Sequence, residues 1–291
     1  MTFNNLVLSG GAFKASAFIG CIKFLQEQEL HKSIKNVVSS SAGSIIAFFF
    51  CIGMTHKEMR STMKKGIDLY TQKEVEIDDV LDIFDTLGID DGKVFEDIGS
   101  EVLQKYFDKS DMTFIEFAKH TGMNLVIAGS NISQARTDFF SVDTYPEMSV
   151  LKAMRVSISI PFIMKPIIYK NNIYVDASLF NNFPIEYFSS TIPFKNTIAL
   201  YLQCTFKSPT DPASLSLFSY IRLLIDSMFV KLNTKPILES KKNNIILEME
   251  FPDDNYGFDM NTMKLVMDEK MLDNYLEYGY KSIREIFKQT K

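Results

Sequence analysis

Ser41 lies in the run Ser39-Ser40-Ser41-Ala42-Gly43, between a short apolar stretch, Asn36 to Val38, and an apolar segment from Ala42 to Met54. A serine on a sharp strand-to-helix turn projects its Oγ freely, and the strained backbone there needs small neighbours. The usual form is Gly-x-Ser-x-Gly. Here it becomes Ser39-x-Ser41-x-Gly43, with the first glycine replaced by another small polar residue. The helix expected from Ala42 aims its free N–H groups and positive end at Ser41, which favours an anion there. The same pattern also describes a plain N-cap. A second turn, Ser9-Gly10-Gly11-Ala12-Phe13-Lys14, again follows a predicted strand and opens a helix. Its Gly-Gly pair lets backbone N–H groups come close to an anion. A phosphate loop is the rival, but Gly-x-x-x-x-Gly-Lys-Ser/Thr is absent and Ala15 follows Lys14. Two such turns at the ends of neighbouring parallel strands would supply one nucleophile and one oxyanion hole.

The nucleophile needs a base, and no histidine is placed for it. His31 falls in the exit of the first helix, His56 in a cap and His120 in a polar helix end. A carboxylate must then serve, and Asp176 is the best placed, after the strand Ile173-Tyr174-Val175 and before the small residues Ala177-Ser178. Burial that raises its pKa, or tight alignment of the hydroxyl, would make up for its low basicity. The literal Asp-Gly pair, Asp91-Gly92, lies in an acidic segment before a helix and reads as a turn.

The elements that must hold these residues alternate. Strands are predicted at Asn5–Leu8, Asn36–Ser39, Leu125–Ala128, Ile173–Val175, Thr197–Cys204 and Ile245–Met249, and helices at Phe13–Leu30, from Ala42, from the capping box Thr55-His56-Lys57-Glu58, and at Leu265–Phe287. Such alternation argues for an α/β layered fold with a largely parallel sheet and for one domain over residues 1–291. The acidic stretch from about 67 to 110 reads as an exposed helical excursion. Leu215–Leu232 is a broadly apolar helix that fills a core or docks on lipid.

Composition narrows the function classes. Lys plus Arg number 31 against 36 Asp plus Glu, which leaves no basic excess for nucleic acid. Cys21, Cys51 and Cys204 are odd in number and scattered, as reduced buried thiols are, and with the three histidines they form no metal-ligand spacing. The 25 Phe and 15 Met suit either a large core or a surface for an acyl chain. The N-terminus lacks a signal-peptide pattern, the Ala42–Met54 run is too short to span a bilayer, and the Asn131-Ile132-Ser133 sequon is then a chance match. A cytoplasmic protein, soluble or peripheral on a membrane, is expected. Richness in Asn, Lys and Ile points to an AT-rich genome, which admits a viral source.

Jointly, Gly10-Gly11-x-x-Lys14, Ser41-Ala42-Gly43-Ser44 and Asp176-Ala177-Ser178 resemble the motifs of patatin-like phospholipases in order and spacing. Ala153 to Pro161 is similar to that family's Ala-x-Arg-Ala-Ser-x-Ser-Ile-Pro block, Asp176 through Asn181-Asn182-Phe183-Pro184 to its Asp-Gly-Gly-x-x-Asn-Asn-x-Pro block, and Gly257-Phe258-Asp259 with the last helix to its C-terminus. The resemblance implies a three-layer α/β/α sandwich with a mainly parallel central sheet and a catalytic Ser41–Asp176 dyad. It implies an oxyanion hole of Gly10, Gly11 and Ala12, with Lys14, Gly43 and Arg155 in support, and no metal or cofactor. Lys14 would lend charge to the loop or pack its stem on the sheet edge; Arg155 would fix loops rather than touch substrate. The implied substrate is phospholipid, foremost at the sn-2 ester, or lysophospholipid or another acyl-ester lipid. Ala12, Ala15, Ser39 and Ala177 stand where the family carries glycine. A catalytically silent lipid-binding protein on the same fold is the alternative.

A dyad needs no imidazole. Replacing His31, His56 and His120 together by Gln is therefore expected to leave ester hydrolysis within a few-fold of the parent. Loss of turnover in folded protein would reveal a hidden triad.

Overall fold

A strand buried on both faces needs cover on both sides, and all four residues of β1 (Asn5–Leu8) are buried. The computed structural model describes residues 2–72, 83–190, 196–203, 245–250 and 268–289, with short pieces at 220, 223–224, 227, 258–259 and 264–265. After β1 come α1 (Ala17–Glu27), β2 (Asn36–Ser39), α2 (Gly43–Ile52), α3 (His56–Gln72), β3 (Gly88–Asp90), α4 (Lys93–Phe107), α5 (Phe114–Thr121), β4 (Asn124–Asn131) and β5 (Arg136–Phe140). Then follow α6 (Val150–Ser157), β6 (Phe162–Met164), β7 (Ile167–Tyr169), β8 (Asn172–Val175), β9 (Thr197–Leu202), β10 (Ile245–Met249) and α7 (Glu269–Gln289).

The main sheet runs β10-β9-β1-β2-β4-β8-β7, with β5 also on β4. The pairings from β10 through β4 are parallel, whereas β5, β8 and β7 join antiparallel. Alternate residues feed two cores. Leu6, Leu8, Val37, Leu125, Ile127, Ile198 and Leu200 belong to the larger cluster, shared with α1 and α2. Val7, Val38, Val126 and Ala199 belong to the opposite one, covered by Phe183, Tyr187 and Phe188. This period of two with both faces covered is the expected α/β sandwich.

Helices α1 and α7 meet backbone to backbone. A Cβ on Gly20 would lie 1.8 Å from the Leu276 carbonyl oxygen, and one on Gly279 would lie 1.9 Å from that of Ala17. The Cys21 thiol donates to the Gly279 carbonyl at 3.3 Å across this crossing. Phe24 adds ring contacts to Tyr280 and Phe287 on the same interface.

Several boundaries differ from expectation. The closing helix starts at Glu269 rather than Leu265, because the Asp268 carboxylate accepts the Met271 N–H at 2.7 Å and caps it. Leu265 pairs instead with Phe258 in a short antiparallel bridge. The first helix opens as a 3₁₀ turn, Ala12–Ser16, and closes at Glu27, with Glu29 in the left-handed region. The acidic segment is not helical throughout: β3 pairs in parallel with β6, and Asp90 is buried. Thr55 and Glu58 form the expected reciprocal cap of α3. Cys21 and Cys51 are free and buried; Cys204 and most of Leu215–Leu232 lie outside the described residues, and of that segment Tyr220 and Leu224 are exposed. Asn131 is buried and donates to Asp138. No described helix is long and apolar enough to cross a membrane.

The glycine crossing generates a stability prediction. Gly279→Ala forces α7 off α1 and is expected to cost about 1–3 kcal/mol, the range of overpacking, measured by urea unfolding. An unchanged midpoint would mean the helices have slack that the backbone contact denies.

Candidate active site

Parallel register sets the first juxtaposition. Leu8 at the end of β1 pairs with Ser39 at the end of β2, so the turns that follow both strands emerge side by side. Ser41 holds φ +49° in the second turn, a left-handed conformation that costs a non-glycine residue about 1–3 kcal/mol. Its neighbours hold it there. The Ser41 N–H donates to Ser157 Oγ at 2.9 Å, and the Ser41 carbonyl accepts from Ser44 Oγ at 2.6 Å. Ser40 Oγ donates to the Asn181 carbonyl at 2.9 Å. Gly43 must lack a side chain, since a Cβ there would sit 2.4 Å from the Ser9 carbonyl oxygen. Ser39 fits where a glycine is usual because its hydroxyl turns away to the Val126 carbonyl on β4.

Strand direction sets the second juxtaposition. β8 runs against β4, with Val175 opposite Ser130, while β4 pairs Ile127 with Ser39 of β2. The chain leaving Val175 therefore heads back to the level of the Ser41 turn. Ser41 Oγ donates to Asp176 Oδ2 at 2.7 Å, and Asp176 Oδ1 accepts the Ser178 N–H at 2.8 Å. The Asp176 N–H donates to the Ser159 carbonyl and the Ala177 N–H to that of Ser157. Ala177 has φ −59°, so its Cβ imposes no strain. Asp176 is 1% exposed. Burial pushes its carboxyl up to about 6, against the opposing pull of hydrogen bonds from Ser41 and Ser178.

The glycine turn abuts this pair. A Cβ on Gly10 would lie 2.8 Å from Ser41 Cβ and 2.4 Å from both Ser178 Oγ and Asn182 Oδ1. The expected role of Gly10 as an oxyanion donor is corrected, because its N–H already donates to the Asn182 carbonyl at 2.9 Å. The N–H groups of Gly11 and Ala12 donate to no acceptor among the described residues. Ala12 holds φ +47° at the start of its 3₁₀ turn. Lys14 is buried two residues further on.

Arg155 is 1% exposed and does not meet Ser41. Its guanidinium donates to the carbonyls of Asp91 and Lys165, each at 2.9 Å, and to Ser159 Oγ. Ser159 in turn carries the carbonyl that receives the Asp176 N–H. Burial lowers the Arg155 pKa from its ordinary value. Asp91 is exposed and caps Lys93, and Gly92 has φ +77°, so that pair is a turn apart from the site. His31, His56 and His120 bond to Leu25, Gln26 and Glu116 respectively. Ser157, Ser159, Ser178 and Asn182 had no assigned role from sequence. Their only signal was membership of the two small-residue blocks around Arg155 and Asp176.

Comparisons with known proteins bear on the family and the fold. The family model described as patatin-like phospholipase matches residues 6–189. "Probable lipid hydrolase 463L" of Invertebrate iridescent virus 6 is 32% identical over 187 residues, which cover 63% of this chain and 62% of that protein. An uncharacterized protein of Acanthamoeba polyphaga mimivirus is 30% identical over 189 residues, 65% of this chain and 62% of its own. Both matches thus span less than two thirds of the relative's length. Among solved structures, VipD from Legionella pneumophila superposes with a TM-score of 0.60 at 15% identity, covering 99% of this chain and 67% of that one. The type III effector ExoU gives 0.50 at 15% identity, covering 99% and 53%. At such identity these structures speak for the fold alone.

The Asp176 carboxyl also has a stability consequence. Its folded pKa of about 6 lies above the ordinary 3.8, so its contribution is fully present below about 4 and is lost as pH rises through 6. At pH 8 the ionised group costs on the order of 3 kcal/mol. Asp176→Asn is therefore expected to unfold at higher urea than the parent at pH 8, with the gap closing toward pH 4. A less stable variant at pH 8 would refute the assignment of cost to the charge.

Proposed function

Because the chain belongs to the patatin-like phospholipase family, we propose that it is a serine acyl hydrolase that releases fatty acid from phospholipid, lysophospholipid or a related acyl ester. The observation that carries this is the 2.7 Å bond from Ser41 Oγ to a buried Asp176, on a turn whose left-handed serine presents its hydroxyl. In this reading Asp176 takes the Ser41 proton as Oγ attacks the ester carbonyl carbon. The N–H groups of Gly11 and Ala12, with the N-terminal end of α2, receive the charge on the carbonyl oxygen. Collapse breaks the ester bond, and the leaving alcohol takes the proton back from Asp176. Water, deprotonated by the same carboxylate, then attacks the acyl-serine; the bond from Oγ to the acyl carbon breaks, Oγ takes the proton back from Asp176, and the acid is freed.

Supporting roles follow from the bonds. Gly10 gives way sterically to Ser41, Gly43 lets α2 approach β1, and Arg155 acts through Ser159 on Asp176. No step requires a metal or cofactor. One domain over 1–291 fits a sheet whose strands run from Asn5 to Met249 and a last helix packed on the first. We read the protein as cytoplasmic with peripheral access to membranes, which suits a lipid substrate, and the viral relatives fit a viral source.

A fluorophosphonate probe is expected to label Ser41 stoichiometrically; no labelling of folded protein would favour the silent lipid-binding alternative. Asp176→Asn should lower kcat by roughly 10² or more, whereas Asp91→Asn should shift turnover by less than about 0.5 kcal/mol in barrier. The base must be ionised, so kcat/KM should fall as pH drops through about 6. Reversal of the two aspartate variants would move the base away from Asp176.

A further inference from the structure

The sheet continues beyond the level at which the Ser41 turn leaves it. β2 and β4 stay paired up to Ser39 and Ile127, and β4 then runs on to Asn131. Strand β8 pairs with that extension, and β7 pairs with β8. Beyond the last β4 pair, the Ile132 N–H donates to the Ile173 carbonyl at 3.0 Å. That bond lies about 16 Å past the level of Ser39, at roughly 3.3 Å per residue. The Gly10 and Ser41 turns emerge at this same end of the sheet, and Asp176 follows Ile173 closely in the chain.

Register builds an apolar row on the extension. Ile168 lies opposite Ile173, and Ile173 lies beside Ile132. Their strand neighbours Ile167, Tyr169 and Tyr174 pack on the larger core, so the two-residue period turns the isoleucines to the other face. Phe183, Tyr187 and Phe188 cover that face over Val7, Val38 and Val126. The isoleucines stay open: Ile168 is 70% exposed, Ile132 43% and Ile173 37%. One exposed isoleucine is ordinary, but three side by side mark a surface that meets another apolar phase.

Charge identifies that phase. From Met148 to Val175 the chain carries Lys152, Arg155, Lys165 and Lys170 and no Asp or Glu, although acids outnumber cations 36 to 31 overall. Arg155 is buried, which leaves three lysines around the hairpin. Lys152 and Lys170 each hold Nζ 5.5 Å from the Tyr169 ring. Lys170 and Asn171 make the hairpin turn with φ +46° and +60°. The first place in such a turn suits Asn, Asp or Gly, so turn chemistry does not account for a lysine there. Pro166 and Lys170 bracket β7 and blunt its edge against pairing with another chain's strand. Apolar tips beside lysines and tyrosines suit the boundary of an anionic bilayer.

We propose that Ile132, Ile168 and Ile173, with Lys152, Lys165 and Lys170, form the surface by which the protein docks on an anionic membrane, bringing the Ser41 end of the sheet to the lipid. The proposal rests on the lipid hydrolase function proposed above and adds which face meets the membrane.

The test uses the full-length protein and vesicles of diether phospholipids, which hold no ester to cleave. One set is phosphatidylcholine alone, and the other is equal parts phosphatidylcholine and phosphatidylserine. Cosedimentation reads docking, and turnover of soluble p-nitrophenyl butanoate reads the hydrolase separately. The parent is expected to bind the phosphatidylserine vesicles at least about tenfold more tightly than phosphatidylcholine alone. Ile168→Asp and Lys170→Glu should each weaken that binding by at least about tenfold, with circular dichroism and butanoate turnover unchanged. Leu69→Asp, at an exposed position on α3, should bind as the parent does. A parent that hydrolyses butanoate but ignores both vesicles, or folded variants that bind as the parent does, would overturn the docking surface and leave the hydrolase standing. A dimer in sedimentation equilibrium that Ile168→Asp dissolves would give the row to a second copy and likewise overturn it. Docking lost in both variants, from a parent that cleaves no ester, would uphold the surface and overturn the hydrolase.

Discussion

A carboxylate withdrawn from water is the constraint on which the rest of this molecule turns. Asp176 is almost fully covered, and burial alone would hold it protonated near neutrality. Ser41 and Ser178 oppose that by donating to its two oxygens. Those donors are effective only if two turns from distant parts of the chain stay fixed. The fold supplies this through a sheet that is parallel from β10 to β4 and then reverses at β8.

The serine bonds around the pair extend the same logic. Ser157 and Ser159 belong to one short segment, yet one fixes the Ser41 amide and both fix the backbone at Asp176. Arg155 anchors that segment to the turn at Asp91 and to Lys165. Ser41 and Asp176 thus share a single scaffold, and neither can move without the other. The strained Ser41 backbone is tolerable in that setting because every neighbour bonds to it in the strained form.

Much of this was legible in the sequence. Apolar runs ending in small residues mark β1 and β2, and their parallel pairing follows from helix–strand alternation, so the meeting of the Gly10-Gly11 and Ser41 turns could be foreseen. Asp176 stood out because a strand led to it and small residues followed. The antiparallel arrival of β8 left no mark, since a four-residue apolar strand reads alike in either direction. Nor could the sequence show that the Gly10 N–H points at Asn182, because the acceptor is a backbone carbonyl, which every residue carries. Gly20 and Gly279 each look like a weak spot in a helix, and only their facing positions show that one makes room for the other. The start of α7 was misplaced because the apolar spacing of Leu265 and Met267 drew attention from Asp268, whose carboxylate sets the cap.

The bond between Ser41 and Asp176 closes a loop of 135 residues. On a ribosome adding about 5–20 residues per second, the serine is made roughly 7–27 s before its partner. Throughout that interval the nascent chain carries the Gly10-Gly11 and Ser41 turns without Asp176, and for the first 116 residues of it the turn that strains Ser41 also lacks the Ser157 hydroxyl that steadies it. Whatever chemistry the Ser41 hydroxyl performs with Asp176 thus waits until the chain has folded back on its own beginning.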